Sequence, residues 1–287
     1  MKKILFISLL LNTFILANIN AVVSILPEKT FVKAIGGDKV SVSLMVLPGN
    51  SPHTYEPKPS QMKNVAKANL YFAIGVEFEN VWLNKFKSLN DKMQIVDLTT
   101  GIEKRAITAH HHHEHNAHHK DAHGTTQSKD PHIWTDPKNV EIIAKHIYEA
   151  LVESDPENAA YYKTNYETFS GKIKETDREI KTILTNIPKD TKFMVFHPSW
   201  GYFAHAYGLT QMAVEIEGKS PKPKELIGLI KEAKEEKIKA IFTQPEFSDS
   251  MAKVMASELN IDVIKVSPLA ENWSENLLKI AHAIAGK

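Results

Sequence analysis

Three histidines stand in loops whose neighbours stiffen the backbone. His53 lies in Ser51-Pro52-His53-Thr54-Tyr55-Glu56-Pro57, His132 in Asp130-Pro131-His132-Ile133-Trp134, and His197 in Phe196-His197-Pro198-Ser199-Trp200. A neutral imidazole offers one ring nitrogen as a lone pair, which suits it to a borderline divalent metal. Proline fixes φ, so prolines on both sides of His53 and His132 restrict the direction in which those rings can point. A single loop histidine is more often a hydrogen-bonded structural residue than a ligand, so their convergence has to be argued from the elements around them. Three imidazoles and a water also build catalytic zinc sites. Such a site needs a general base and a substrate pocket. Glu56 stands near His53, but there is no His-Glu-x-x-His run.

Each of the three follows a segment that reads as a strand. Ser41–Leu47, Asn69–Ile74 and Met93–Leu98 are short, apolar and partly β-branched, and Pro59–Lys67 and Val81–Leu89 between them have helical spacing. Asp136-Pro137 opens a further helix. From Pro156 to Ile187 the apolar residues recur at three- and four-residue steps, which predicts one long amphipathic helix. The alternation then repeats, with strands expected at Lys192–Phe196, Gln211–Ile216, Lys239–Thr243 and Asp262–Val266 and helices at Pro223–Lys237 and Trp273–Ala285. This pattern predicts an α/β fold of two (β/α) lobes, each a parallel-type sheet covered by helices, joined by one long linking helix. The expected boundaries are 22–155 for the first lobe, 156–187 for the linking helix and 188–287 for the second lobe. Ligands in open α/β sheets bind beyond the carboxyl ends of the strands. Two histidines from one lobe and one from the other therefore place a metal in the cleft between them.

The first residues read differently. Lys2 and Lys3 precede an apolar run from Ile4 to Leu16, followed by Ala17 and Ala21, the layout of a secretory signal peptide over 1–21. Cleavage after Ala21 leaves the strand-like Val22–Leu26 whole. The sequence holds no cysteine, so neither disulfides nor a lipidated cysteine are expected, and the periplasm is the expected location. No other stretch is apolar and long enough to span a bilayer. Removing the two leader lysines takes the formal charge from +1 to about −1, which argues against a nucleic-acid surface. Eight of the fourteen histidines fall between residues 109 and 129, in a stretch with no apolar periodicity that reads as a loop. It is either a tolerated solvated tract or a low-affinity zinc collector. His146 and His282 are expected on exposed helix faces, and His205 packing or capping within its own helix.

The motifs Pro52-His53-Thr54-Tyr55-Glu56-Pro57, Asp130-Pro131-His132-Ile133-Trp134, Phe196-His197-Pro198-Ser199-Trp200-Gly201-Tyr202-Phe203 and Ala206-Tyr207-Gly208-Leu209 together resemble the metal-binding solute-binding proteins of ABC importers, specifically the zinc-type (ZnuA-like) branch. The resemblance implies two stiffly joined lobes with the metal at their interface, ligated by His53, His132 and His197. It implies a non-enzymatic, monomeric protein that captures Zn²⁺ in the periplasm as transported ligand and delivers it to an inner-membrane permease. Three neutral imidazoles suit Zn²⁺, whereas hard Mn²⁺ is better served by carboxylates, which manganese-type relatives tend to carry at the position of His197. Trp134, Trp200 and Tyr202 are expected to wall off the metal. The chain departs from the pattern at Val266-Ser267-Pro268-Leu269, where many relatives place an aspartate, and at Thr243-Gln244-Pro245-Glu246. The fourth ligand is left open between water, Glu246 and a histidine of the loop. No Gly-Lys-Ser/Thr phosphate loop is present, so the chain is not the transport motor.

Overall fold

The computed structural model describes residues 18–107, 129–215 and 219–286. The expected leader up to residue 17 and the His-rich stretch up to residue 128 lie outside the described residues. In the first lobe, β1 (Ile19–Val23), β2 (Val40–Leu44), β3 (Leu70–Ala73) and β4 (Gln94–Asp97) form a parallel sheet in the order β2-β1-β3-β4. In the second, β5 (Lys192–Val195), β6 (Thr210–Ala213), β7 (Ala240–Thr243) and β8 (Asp262–Lys265) form a parallel sheet in the order β6-β5-β7-β8. Both lobes thus repeat one topology, with the first strand inside and a crossover on either side of it.

The first strand begins three residues earlier than the sequence pattern places it. Ile19, Asn20 and Ala21 pair with Val40, Ser41 and Val42, and Ala21 also with Leu70. The apolar run misleads at its other end, where Leu26 and Pro27 open the helix α1 (Leu26–Gly36), proline being suited to a first helical turn. Cleavage after Ala21 would remove three of the five residues of this central strand.

Between the lobes, α4 (Pro137–Ser154) leads through a 3-10 turn at Pro156–Asn158 into α5 (Ala159–Leu184), the long linking helix. At 26 residues α5 is about 39 Å long. It buries Tyr162, Phe169, Ile173, Ile180 and Leu184 along one stripe, against α1, α4 and the C-terminal helix α9 (Trp273–Ala285). The strands alternate faces, so Phe193 and Val195 of β5 join the same core as Val23 and Phe72 of the first sheet. Met194 turns instead to a second cluster with Met212, Leu229 and Met255 behind the C-terminal sheet. The lobes therefore share one apolar core rather than meeting across a wet hinge.

Two tryptophans bind that core together. The Trp134 indole donates to the Pro268 carbonyl at 2.7 Å, and the Trp273 indole donates to the Trp134 carbonyl at 2.8 Å. Both rings are almost wholly buried. Replacing Trp273 with alanine should cost about 3–5 kcal/mol in a reversible unfolding measurement, from lost transfer energy and the cavity left behind.

Beneath the site end of the first sheet lies a buried acid pair. Glu79 accepts hydrogen bonds from Ser24 Oγ (2.5 Å), the Ile74 amide (2.9 Å) and the Gly75 amide (2.7 Å). Gly75 has φ +85° and lets the chain turn sharply after β3 into the helix α3 (Glu77–Leu89). Glu28 accepts from the Ser24 and Ile25 amides, while its Oε1 is buried without a partner. Burial, then the neighbouring Glu79 charge, holds Glu28 well above the ordinary carboxyl range, and burial pushes Glu79 up to about 7. A carboxyl whose folded pKa is raised stabilises the fold fully below its unfolded pKa and loses that contribution as pH rises through the folded value. Urea unfolding of the native chain should therefore show stability falling between about pH 4.5 and pH 7. Glu28→Gln, which keeps an acceptor for the two amides and removes one charge, should flatten that fall.

Candidate metal centre

Every candidate ligand stands beyond the carboxyl end of a strand, as the fold class requires. His53 follows β2, His132 lies on the return from β4 to α4, and His197 is the second residue after β5. The structure brings all three rings to the wall of one cavity, together with Ser51, Glu77, Trp134, Gln244, Glu246 and Phe247. That cavity has a volume of about 20 Å³. It is large enough for an ion or one water.

The rings meet through His197. Its ring centre is 5.1 Å from that of His53 and 5.4 Å from that of His132, edge to face in both cases. Among the described residues no three His, Cys, Asp or Glu side chains are grouped so as to hold a metal ion as they stand; the imidazoles share the cavity, and His197 meets each of the other two in a pair. The Nε2 atoms of His53 and His197 lie 3.4 Å apart. Two nitrogens bound to one zinc ion at about 2.0–2.1 Å in tetrahedral geometry would lie about 3.3–3.4 Å apart. The pair already has the spacing of two ligands.

The other nitrogen of each ring faces a carboxylate. His132 Nδ1 donates to Asp130 Oδ1 at 2.7 Å, and His197 Nδ1 donates to Glu215 Oε1 at 2.7 Å. His53 Nδ1 is 3.3 Å from Glu77 Oε2. An ionised carboxylate can only accept, so it holds the proton on Nδ1 and leaves Nε2 as a free lone pair. The His53 and His197 lone pairs then face each other, a repulsion that a proton or a cation between them relieves. The Glu77 hydrogen bond pushes His53 above the usual imidazole value. Burial pulls His197 below it, although Glu215 opposes the shift. Burial alone would raise Glu77, but its hydrogen bond to His53 and the His53 charge hold it low.

Local structure fixes these groups. The Asp130 carboxylate also accepts from the His132 amide at 2.9 Å, and Thr135 Oγ1 donates to the His132 carbonyl at 2.9 Å. The Tyr202 hydroxyl donates to the Asp130 carbonyl and accepts from the Arg105 amide, tying the second lobe to the first. Trp134 lines the cavity, and the Phe247 ring stacks on His197 at 4.8 Å. Trp200 and Tyr202 are buried but do not line the cavity. Glu56 is exposed and absent from the cavity lining. His205 and His282 are exposed and stand away from the cavity, whereas His146 is half-buried with an unpartnered Nδ1 rather than exposed. His205 stands in the last turn of its helix, Gly201–Ala206, and its exposure excludes the packed one of its two expected roles. Glu77 and Glu215 escape sequence reasoning, because nothing in their local patterns marks an acceptor for a ring 144 residues from its partner ring.

Removing an acceptor should loosen the centre without dismantling it. Glu215→Gln and Asp130→Asn should each lower zinc affinity by about 10–100-fold in a chelator competition, since the released imidazole can adopt the wrong tautomer. The metal-free far-ultraviolet circular dichroism spectrum should not change.

Comparison with known proteins agrees with this geometry. The family described as zinc-uptake complex component A, periplasmic (ZnuA), matches residues 21–285. A solved structure described as a crystal structure of ZnuA is 37% identical, superimposes with a TM-score of 0.84, and covers 94% of this chain and 98% of its own. Among curated proteins, the zinc-binding protein AdcA of Streptococcus pyogenes serotype M3 is 29% identical over 274 residues, 91% of this chain. The chain spans only 52% of the length of that relative. The manganese ABC transporter substrate-binding lipoprotein PsaA of Streptococcus pneumoniae is 27% identical over 84% of this chain and 76% of its own length. Shared topology, a match along nearly all of the described chain and a 37% identical structure establish that this protein is a member of the ZnuA family.

Proposed function

We propose that this chain captures Zn²⁺ in the periplasm as the substrate-binding subunit of an ABC importer, holds it through His53, His132 and His197, and passes it to an inner-membrane permease. The family is one of solute-binding proteins of ABC transporters and not of enzymes. The observation that carries the reading is the set of three imidazoles around one ion-sized cavity, each with a carboxylate on its Nδ1. Relatives include both zinc-binding and manganese-binding proteins. Nitrogen ligands favour the borderline zinc ion over the harder manganese ion. The chain acts as a monomer in this reading, and the bound ion is cargo rather than a resident cofactor.

Export rests on the charged and apolar pattern of the first residues. Removal of a leader before Ile19 would keep β1 whole. Intact-mass analysis of protein recovered from the periplasm should show a mature N-terminus no later than Ile19. A start at Val22 would mean that β1 tolerates the loss of its first three residues.

The His-rich stretch returns to the fold where Ala106 bridges Lys129, and the Asp130 amide donates to the Arg105 carbonyl at 2.8 Å. Ala106 and Lys129 thus lie side by side, the second of them three residues before His132. We read the stretch as a low-affinity collector that keeps zinc near the main site.

Calorimetric titration of metal-free protein, with and without residues 109–129, tests the assignment. One tight zinc site should survive the deletion, resist competing Mn²⁺ and weaken at least about 100-fold in His53→Ala, His132→Ala and His197→Ala, more than loss of an outer partner costs. The deletion should lower the total zinc bound. Affinity should fall as pH drops through the imidazole range near 6.5, because protons compete for Nε2. Tight binding that survives all three substitutions would overturn the reading.

A further inference from the structure

Three neutral imidazoles leave a zinc ion one ligand short of a closed tetrahedral site. Of the carboxylates around the cavity, Asp130, Glu215 and Glu77 are engaged on imidazole Nδ1 atoms. Glu246 is different. It lines the same cavity from the turn after β7, is half-buried, and touches no imidazole Nδ1. Its oxygens lie 3.0 and 3.3 Å from Ser267 Oγ, so one hydroxyl proton is shared across the whole carboxylate. No lysine, arginine or histidine among the described residues forms an ion pair with it. A carboxylate drawn out of water without a counter-charge is costly, and a divalent ion in the cavity would supply that charge.

We propose that Glu246 is the fourth, anionic ligand of the captured metal, with Ser267 holding its carboxylate toward the cavity. This rests on the three-histidine reading above. Ser267 cannot itself fill the position. Its hydroxyl proton goes to Glu246, while its oxygen accepts from the Leu269 amide at 3.0 Å. Gln244 is the other polar group on that wall: its amide donates to Ser199 Oγ, and its Oε1 is buried without a partner. A neutral amide oxygen is a weaker zinc ligand than a carboxylate, and Gln244 suits the role of acceptor for water displaced on binding. With Glu246 in place the bound centre carries one negative ligand charge and keeps an oxygen donor, which a purely nitrogenous site would lack.

Zinc affinity by chelator competition and the visible spectrum of the Co²⁺ complex, taken together, test this. The variants are Glu246→Gln, Glu246→Asp, Ser267→Ala and Gln244→Leu, with His197→Ala as control. Glu246→Gln should lower zinc affinity by at least about 100-fold, above the range of about 10–100-fold for loss of an outer partner. It should also shift the cobalt ligand-field bands. Glu246→Asp keeps the charge and should recover part of the loss, Ser267→Ala should cost about 10-fold, and metal-free melting curves should coincide. Unchanged affinity and cobalt bands in Glu246→Gln, while His197→Ala loses zinc, would overturn the assignment and leave the three-histidine site standing. A loss with unchanged cobalt bands would overturn it too, reducing Glu246 to a positioning residue. So would a loss that follows Gln244→Leu instead. Zinc binding that persists in His197→Ala would fail the underlying reading rather than this one.

Discussion

A metal–nitrogen bond near 2.0–2.1 Å tolerates errors of only about 0.2 Å, and the three imidazoles of this cleft come from two different sheets. Their spacing is therefore only as good as the junction between the lobes. That junction is an apolar core crossed by α5 and closed by Trp134 and Trp273, whose indoles hydrogen-bond from one lobe to the other. Close-packed interiors deform little, so the 3.4 Å gap between His53 and His197 is a property of the whole fold and not of two loops.

Upon that frame the chemistry is arranged in layers. The cavity wall presents Nε2 lone pairs. Behind them, carboxylates fix the tautomers, and behind those, backbone amides and the hydroxyls of Thr135 and Tyr202 fix His132 and Asp130. The N-terminal lobe shows the same layering: Glu79 takes the Ile74 and Gly75 amides, which holds the turn that carries Glu77 toward His53. The burial of the two ring histidines of the deep wall contrasts with His53, whose side chain is 33% exposed. His53 stands at the mouth, where an arriving or departing ion would meet it first.

The cavity volume suits the capture of an ion. A space of about 20 Å³ lined by Trp134 and Phe247 holds an ion or one water. Glu56, the residue that kept a hydrolytic reading open, faces solvent outside it.

Local pattern was enough to determine much of this. Short, largely apolar runs located β2 to β8 to within a few residues; the inner strands β3, β5 and β7 are buried almost throughout, while the edge strands β2, β4 and β8 keep polar, partly exposed residues. The three- and four-residue spacing from Tyr162 to Leu184 gave α5, because that stripe has to face a core. Proline-framed motifs singled out His53, His132 and His197. Tertiary structure decided the rest. The start of β1 at Ile19 depends on pairing with Val40 and Leu70's neighbours, which a local apolar run does not encode. The roles of Glu77, Glu215 and Glu246 depend on which strand ends the topology brings together, and an exposed-looking glutamate in sequence carries no mark of the ring or hydroxyl it will face. Sequence periodicity reports which face of an element is buried; it does not report what lies across the gap.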